Sequence, residues 1–330
     1  MLMKKIRTVI AVIEPRQMRQ PALMRALSIV QYARTSQNGL KQLPRIIALL
    51  PVYDFSFDIS SVLSIEQEQR MREDVVQKHR KWLDAYLQVN AMGYQVESQV
   101  IWSKSTGRSI TEVAKKEGAD LIIKTADVHG FLDTVLFTPL DWQLLSNSPV
   151  PVYIAKDQMW HPTGIIAVAI AVPSDDDVMG RMLNMRMLRE AQELARFTRC
   201  SIHLINAIIP VIQPAALDLP GFTPQLLSEE NIRESCRRVL SFASRHGIDA
   251  QCCHIREGHP DEVIPALCQE LQPTALFIGT QARRGLAMAL LGNICQRVVD
   301  ELDCDVAVVT PKSVVRALPT STPSREYLKQ

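Results

Sequence analysis

The chain contains two similar segments that lie about 155 positions apart. Residues 119–130 read ADLIIKTADVHG, and residues 274–285 read TALFIGTQARRG. This alignment places Lys124 and Phe137 where the second copy has Gly279 and Gly292. A repeat of this length is the size of a whole domain, so the 330 residues are predicted to form a tandem of two similar domains.

Short apolar runs of strand length alternate with amphipathic segments of helical length in both copies. The strands are predicted within 8–13, 45–50, 94–102, 121–123, 150–154, 165–171, 201–206, 250–255, 275–278 and 306–309. Helices are predicted over 66–92, 109–117, 179–197, 229–246, 260–271 and 293–302. Five strands alternating with about four helices in each half predict an α/β fold with two doubly wound, Rossmann-like, five-stranded parallel sheets.

Composition narrows the class of protein. Lysine and arginine total 37 against 35 acidic residues, so the net charge of +2 gives no electrostatic reason to expect nucleic acid. No run of 18 apolar residues occurs and the first residues lack the apolar core of a signal peptide, which predicts a cytoplasmic protein without membrane insertion. The seven cysteines all lie in the second half at unpatterned spacings, which predicts reduced thiols.

Domain boundaries follow from the repeat and from local composition. Domain 1 is predicted over 1–157 and domain 2 over 163–312, with the joint at Asp157–Pro162. The residues from 313 to 330 are polar and rich in proline and serine, which predicts a flexible tail.

The second copy carries a spaced glycine pattern. Gly279, Ala282, Gly292 and Asn293 fall at the positions of a Gly, two residues, Gly, nine residues, Gly, Ser/Thr signature. With this pattern and the domain-long repeat, the chain resembles the universal stress protein family, and runs such as Phe137–Trp142 are similar to its tandem-domain type of Gram-negative bacteria. The resemblance implies two adenine nucleotide alpha hydrolase-like domains related by pseudo-two-fold symmetry.

The resemblance also implies a ligand site between the first and fourth strands of a domain, at the point where the strand order reverses. Glycines there let backbone N–H groups approach a phosphate, and a helix start adds its positive end. An acid at the end of the first strand is the family's usual partner for the ribose or metal of a nucleotide.

Copy one departs from this template at its glycines. Lys124, Asp127 and Phe137 replace all three, whereas Thr138 keeps the hydroxyl. Glu14 keeps an acid at the end of the first strand. We therefore expect no nucleotide in domain 1.

Copy two keeps more of the loop but has no acid, because the predicted acid position is Ala169. The candidate ligand-binding residues are Gly279, Thr280, Ala282, Arg283, Arg284, Gly285, Gly292, Asn293 and Ala169. Loss of the middle glycine and of the acid disfavours ATP, and no cofactor or metal is assigned. Gly279 and Gly285 could instead serve turn geometry alone, and a solvated loop is the favoured interpretation of Arg283 and Arg284.

Other polar clusters are interpreted as structural. Cys252, Cys253 and His254, with His259, are similar to a metal site, but adjacent residues of a regular strand point to opposite faces. His203 lies in an apolar run and is interpreted as a core histidine. No Ser-His-Asp, Cys-His or paired-carboxylate arrangement is evident, so the protein is predicted not to be an enzyme.

Apolar loops follow the second strand of each copy, at 51–63 and 208–222, and Leu286, Met288, Leu290 and Leu291 extend the signature loop. They could line a ligand cleft, pack on the neighbouring domain, or bind a protein partner or a second copy of the chain. The family resemblance implies that the last strands, Val150–Ile154 and Val306–Val309, pair with each other across the pseudo-two-fold axis, which would also protect two exposed strand edges.

The protein is predicted to take part in the response to stress in the cytoplasm without catalysing a reaction. The family resemblance implies resistance to stress such as DNA damage. Two alternatives stay open at this point. One is an adenine-nucleotide-binding switch with slow ATP hydrolysis, and the other is a binder of an amphipathic or lipid-like metabolite.

Overall fold

A computed structural model describes twelve segments of the chain. They are residues 6–15, 18–35, 43–54, 64–126, 144–145, 148–158, 160, 163–171, 177–210, 224–279, 298–299 and 301–310.

Ten strands form one sheet. They are β1 (Thr8–Val12), β2 (Arg45–Val52), β3 (Val96–Trp102), β4 (Leu121–Thr125), β5 (Val152–Ala155), β6 (Ile165–Ala169), β7 (Ser201–Ile208), β8 (Cys253–Glu257), β9 (Ala275–Gly279) and β10 (Asp305–Val309). All five residues of β1, β4 and β10 are buried, as expected for strands with a helix layer on each face.

Six helices within the described segments flank the sheet. They are α1 (Pro21–Thr35), α2 (Ile65–Asn90), α3 (Thr106–Lys116), α4 (Val178–Thr198), α5 (Pro224–Arg245) and α6 (Pro260–Leu271), and a short 3-10 turn covers Ala250–Cys252. Sequence start signals explain several of their N-termini. Ser64 and Gln67 form a capping box before α2, the Asp177 carboxylate accepts from Gly180 N at 2.8 Å before α4, and Pro260 opens α6.

The strand order is β3-β2-β1-β4-β5-β10-β9-β6-β7-β8. Each half is a five-stranded parallel sheet of the same order, and within the sheet the halves join at the antiparallel pair β5–β10. The two tandem doubly wound domains and the pairing of the last strands are therefore confirmed. Tyr153 and Ala307 lie opposite each other at the centre of this pair, so the pseudo-two-fold axis passes between them.

Two apolar layers cover the sheet. Alternate residues of β1, Val9 and Ala11, face a core that includes Leu23 of α1 and Leu183 of α4. The intervening Ile10 and Val12 face a second core with side chains of α3 and α6. These layers place the carboxyl ends of the central strands at one edge of each domain, where the parallel-sheet rule expects ligands.

A buried polar group joins the two halves at the start of β10. The Asp305 carboxylate is 1 % exposed. It accepts from Arg25 Nε of α1 at 2.5 Å, from Trp160 Nε1 at 2.6 Å and from the backbone N–H of Lys156 at 2.8 Å. Burial raises the pKa of Asp305, and the charge of Arg25 opposes that shift. We call these four residues the junction cluster.

Aromatic rings enclose the junction cluster. The Trp160 ring stacks on Tyr32 at 6.3 Å and meets the edge of Tyr153 at 6.0 Å, measured between centroids. The Arg25 guanidinium lies 5.2 Å from the Trp160 centroid. Burial and the nearby Asp305 carboxylate raise the pKa of Tyr153 well above its usual value. The ion pair is thus held in a low-dielectric site where its loss is costly.

Sequence patterns missed two features. Helix α1 has no counterpart among the predicted helices, because its apolar residues surround most of its circumference and weaken the periodicity. The predicted strand from 250 to 255 begins instead with the 3-10 turn, and β8 starts at Cys253. The predicted helix from 293 to 302 and the tail lie largely or wholly outside the described residues. The domain boundaries stay a prediction.

No helix within the described segments is long and apolar enough to cross a membrane.

Removal of the Arg25 guanidinium should destabilise the whole chain, because the Asp305 carboxylate would stay buried without its charged partner. We expect Arg25→Ala to lower the free energy of unfolding by about 3–5 kcal/mol in urea titrations. The matched control is Arg19→Ala, which breaks the exposed ion pair with Asp157 (side chains 83 % and 63 % exposed) and should cost about 1 kcal/mol or less. Equal losses in the two variants would contradict this role of the junction cluster.

Candidate functional site

The strand order of each domain reverses at one point, and in doubly wound sheets a crevice is expected at the carboxyl edge there. In copy one the crevice lies between the ends of β1 and β4, and in copy two it lies between the ends of β6 and β9. The strand order reverses between these strands, so this is the place where doubly wound sheets bind ligands.

Strand pairing corrects the sequence alignment by one residue here. Tyr153 and Ala307 are equivalent under the pseudo-two-fold axis. Their strands pair with β4 and β9 in the same register, so Ile122 corresponds to Leu276. Lys124 therefore corresponds to Ile278, and it is Thr125 that corresponds to Gly279. The predicted equivalence of Lys124 and Gly279 is wrong, because every residue of β4 is buried and the strand therefore has no alternation that fixes the register.

An internal ion pair occupies the crevice of copy one. The Lys124 side chain is 1 % exposed, and its Nζ lies 3.1 Å from Glu14 Oε1 and 3.0 Å from the carbonyl oxygen of Thr125. Glu14 follows β1, at the position of the acid that the sequence predicted. The carboxylate that would bind a ribose or a metal is thus paired with an ammonium group of the same domain.

Neighbouring side chains fix this end of copy one. The Gln20 amide donates to Glu14 O at 2.6 Å and accepts from Glu14 N at 3.0 Å. Thr125 Oγ1 accepts from the Ala22 N–H in the first turn of α1 at 3.2 Å. One of the free N–H groups of this helix start, which could otherwise bind a phosphate, is therefore used within the protein.

The acid position of copy two is Ala171 rather than Ala169. Ala169 pairs with Ile205 as Val12 pairs with Leu49, so Ala169 lies inside the strand. Ala171 is held as Glu14 is: the Asn184 amide donates to Ala171 O at 2.7 Å and accepts from Ala171 N at 3.3 Å. The change from Ala169 to Ala171 leaves the conclusion that copy two lacks the acid unchanged, since neither alanine supplies a carboxylate.

Helix packing explains why residue 279 is a glycine. A Cβ atom at Gly279 would lie 2.6 Å from Cδ2 of Leu183 and 3.0 Å from Sδ of Met187, both on α4. Such distances are far inside van der Waals contact. The absence of a side chain at Gly279 thus allows α4 to approach the sheet, an interpretation that the sequence analysis did not weigh.

A buried amide lies beside the crevice of copy two. Asn206 is 2 % exposed, and its Nδ2 donates to the carbonyl oxygen of Ile170, at the end of β6, at 2.8 Å. Its Oδ1 has no hydrogen-bond partner within the described part of the chain. The corresponding residue of copy one is Leu50, which is fully buried. Sequence reasoning missed Asn206, although an asparagine inside an apolar strand is the signal that marks it.

Exposed apolar side chains surround this same edge of domain 2. Val178, Met179 and Met182 of α4 are 54 %, 40 % and 55 % exposed, and Ile209, just after β7, is 55 % exposed. Ile209 belongs to the apolar loop at 208–222 that the sequence predicted, whereas the three side chains of α4 were not predicted; we call these four exposed residues the apolar rim.

The other candidate residues lie outside the described residues. They are Thr280, Ala282, Arg283, Arg284, Gly285, Gly292 and Asn293, together with Asp127, Phe137 and Thr138 of copy one, most of the loops at 51–63 and 208–222, and Leu286, Met288, Leu290 and Leu291. Their proximity to Gly279 and Ala171 stays a prediction.

The imidazole rings of His203 and His254, two of the residues interpreted above as structural, form a hydrogen-bonded pair. His203 Nδ1 and His254 Nε2 are 2.9 Å apart, and their planes differ by 10°. Burial lowers the pKa of both imidazoles. Across the segments described above, no three His, Cys, Asp or Glu side chains are grouped so that they could hold a metal ion.

Comparison with known proteins agrees with this architecture. A sequence model of the Universal stress protein family matches residues 6–156 and 178–310. Universal stress protein E of Photorhabdus laumondii is 34 % identical over 313 residues, covering 94 % of this chain and 96 % of that protein. Universal stress protein E of Escherichia coli (strain K12) is 33 % identical over 312 residues, covering 94 % and 95 %.

Solved structures show the same fold. A functionally unknown protein from Pseudomonas aeruginosa PAO1 superimposes with a TM-score of 0.67 at 26 % identity, over 94 % of this chain and 95 % of that one. A universal stress protein from Archaeoglobus fulgidus gives 0.57 at 16 % identity, over 93 % and 97 %. Since the family model matches two segments that together cover most of the chain, the chain belongs to the universal stress protein family.

Proposed function

We propose that this universal stress protein acts in the cytoplasm without catalysis, that its first domain holds no nucleotide, and that its second domain is the place where a small ligand binds. The ion pair between Lys124 and Glu14 carries the proposal. It fills the switch-point crevice of domain 1 with protein atoms and neutralises the acid there.

The same ion pair supports the absence of catalysis in domain 1. A general base needs a carboxylate that can accept a proton from substrate. Glu14 instead faces an ammonium group that is buried with it, and Lys124 is further held by the carbonyl of Thr125. Domain 2 has alanine at the corresponding position, so it lacks this base altogether.

The crevice of domain 2 keeps features that suit a ligand. No lysine enters it from β9, because Ile278 stands at the position of Lys124. The proposed site combines Gly279 and Ala171 with the glycine loop residues Thr280–Gly285 and with Gly292 and Asn293. Asn206 adds an amide oxygen beside the same strand end that a hydroxyl or ammonium donor could satisfy after a small local shift.

The exposed apolar rim favours an amphipathic ligand over ATP. Met179 and Met182 offer flexible, polarisable side chains that fit varied apolar groups. ATP would need compensation for four phosphate charges and a partner for its ribose or metal, and Ala171 supplies no carboxylate. Further interactions with protein partners or a second copy of the chain would use the same apolar edge.

Lys124→Met should destabilise domain 1, because the Glu14 carboxylate would lose its charged partner in a mostly buried site. We expect the free energy of unfolding to fall by about 1–3 kcal/mol in urea titrations. Adding Glu14→Gln should restore part of the loss, which a double-mutant cycle measures. Lys116→Met, an exposed lysine of α3, should stay within about 0.5 kcal/mol of the parent. A loss at Lys124 no larger than at Lys116 would remove the basis of the proposal.

Gly279→Ala should destabilise the chain by about 1–3 kcal/mol, because the new Cβ overlaps Leu183. In a Leu183→Ala background the same substitution should cost less, since the Leu183 atoms that overlap the new Cβ are gone, although the contact with Met187 Sδ at 3.0 Å remains. An unchanged cost in that background would show that the glycine is required for a reason other than helix packing.

Native mass spectrometry of the freshly purified full chain tests the ligand site. We expect a bound small molecule that Lys124→Met protein retains and Gly292→Val protein loses, because a valine side chain would fill the space for a phosphate or headgroup. Calorimetry with ATP at millimolar concentration should show no binding to domain 1. Retention of the molecule by Gly292→Val protein, or ATP binding that depends on Glu14, would contradict the proposed location.

A further inference from the structure

A cavity of about 140 Å³ lies where the two halves of the chain meet. Arg25 and Trp160 of the junction cluster form part of its wall, and residues of α6 and of the segment before β10 form the rest. The cavity also touches Thr274, directly before β9, so it lies at the amino-terminal edge of the domain 2 sheet and not at the crevice. A cavity of about 150 Å³ is large enough to bind benzene, so this one suits a molecule of about six non-hydrogen atoms.

The buried part of the wall carries an arginine that does not use all of its donors. The side chain of Arg25 is 6 % exposed. Its Nε donates to the Asp305 carboxylate at 2.5 Å, and its Nη2 donates to the backbone carbonyls of Lys156, at 3.1 Å, and Gln158. Its Nη1 makes no hydrogen bond within the described part of the chain, although a guanidinium group has five N–H donors. Because Arg25 lines the cavity, the Nη1 donors are available to an oxygen acceptor inside it.

Two carboxylates stand at the mouth of the cavity. Glu301 and Asp303 line it, lie shortly before β10 and are exposed. Gln269 of α6 and Gln272, which follows that helix, line the same exposed part. The cavity thus has a cationic group in its buried wall and anionic groups at its mouth, with neutral amides beside them.

This order of charges favours one class of ligand. A simple anion would be repelled by Glu301 and Asp303 at the mouth. The pairing of Arg25 with Asp305 also weakens the attraction that such an anion would find inside. A simple cation would gain from the two carboxylates but would leave the Nη1 donors of Arg25 without an acceptor. A molecule that carries both a carboxylate and an ammonium group is complementary to the two ends together.

We propose that this cavity binds a small zwitterion, specifically a free α-amino acid with a short apolar side chain. Its carboxylate accepts hydrogen bonds from Arg25 Nη1, and its ammonium group lies at Glu301 and Asp303. Its side chain contacts the apolar part of the wall, where Pro273 and Leu302 are buried.

Binding at this place connects the two halves of the chain. Arg25 belongs to α1 of the first half, whereas Glu301 and Asp303 belong to the second half. A ligand that binds only the folded chain raises its stability, and the gain grows with ligand concentration. The amino acid therefore stabilises the junction cluster, independently of any ligand in the crevice of domain 2.

The experiment titrates the full chain with L-alanine and measures binding by saturation-transfer NMR of the alanine methyl group. We expect saturable binding with a dissociation constant on the order of 1 mM, which is realistic for six non-hydrogen atoms. Propionate lacks the ammonium group and isopropylamine lacks the carboxylate, so each should bind at least about tenfold more weakly. L-alanine at about 20 mM should also raise the midpoint of thermal unfolding by about 1–3 °C.

Variants of the full chain locate the binding. Gln269→Trp should fill the cavity and abolish L-alanine binding, whereas Glu262→Trp, at an exposed position of the same helix that does not line the cavity, should bind like the parent. Glu301→Gln combined with Asp303→Asn should reduce the affinity for L-alanine to that for propionate. Gly292→Val should keep L-alanine binding, which distinguishes the cavity from the crevice of domain 2. Three results would overturn the proposal: a parent that binds L-alanine no better than propionate, equal binding by Gln269→Trp and Glu262→Trp, or loss of binding in Gly292→Val protein.

Discussion

One buried carboxylate fixes how the two halves of this protein are placed. Asp305 stands at the start of the last strand, and a carboxylate that is 1 % exposed is tolerated only where donors surround it. Its donors come from α1 of the first half and from the segment that connects the halves. The antiparallel pair β5–β10 supplies the shared backbone hydrogen bonds, and the junction cluster selects one relative position of the helices beside it.

The residues at the switch points of the two domains differ in their chemistry, although the two domains have the same fold. Copy one keeps an acid but pairs it with its own lysine, and its helix start is capped by Thr125. Copy two has Ala171 at the acid position and the Asn206 amide beside it. Its Gly279 has no side chain, which allows α4 to pack close to the sheet. In copy one the acid is paired with a lysine of the same domain, whereas copy two lacks the acid and has Ile278 rather than a lysine in its fourth strand.

Local patterns predicted most of the fold, and long-range pairs could not be predicted. Buried strands and the capped helices follow from short sequence signals, and the family resemblance predicted the pairing of the last strands. The alignment failed by one residue in β4, because five buried positions in a row carry no alternation. Glu14 was noticed because it keeps the acid of the template, and Lys124 because it replaces a glycine of the template, but the sequence did not link the two. Arg25 and Asp305, 280 positions apart, show no sequence signal that links them.

The β5–β10 pairing also has an evolutionary meaning. In a symmetric dimer of identical chains every contact across the axis occurs twice, so one substitution changes both places at once. Here Arg25 and Arg186 are related by the axis, since each donates to the backbone carbonyl that follows a last strand, at Lys156 and at Thr310. Only Arg25 also meets a carboxylate across the axis, because the position that corresponds to Asp305 is Pro151. Fusion of the two copies into one chain therefore allows selection to act on each side of the interface separately.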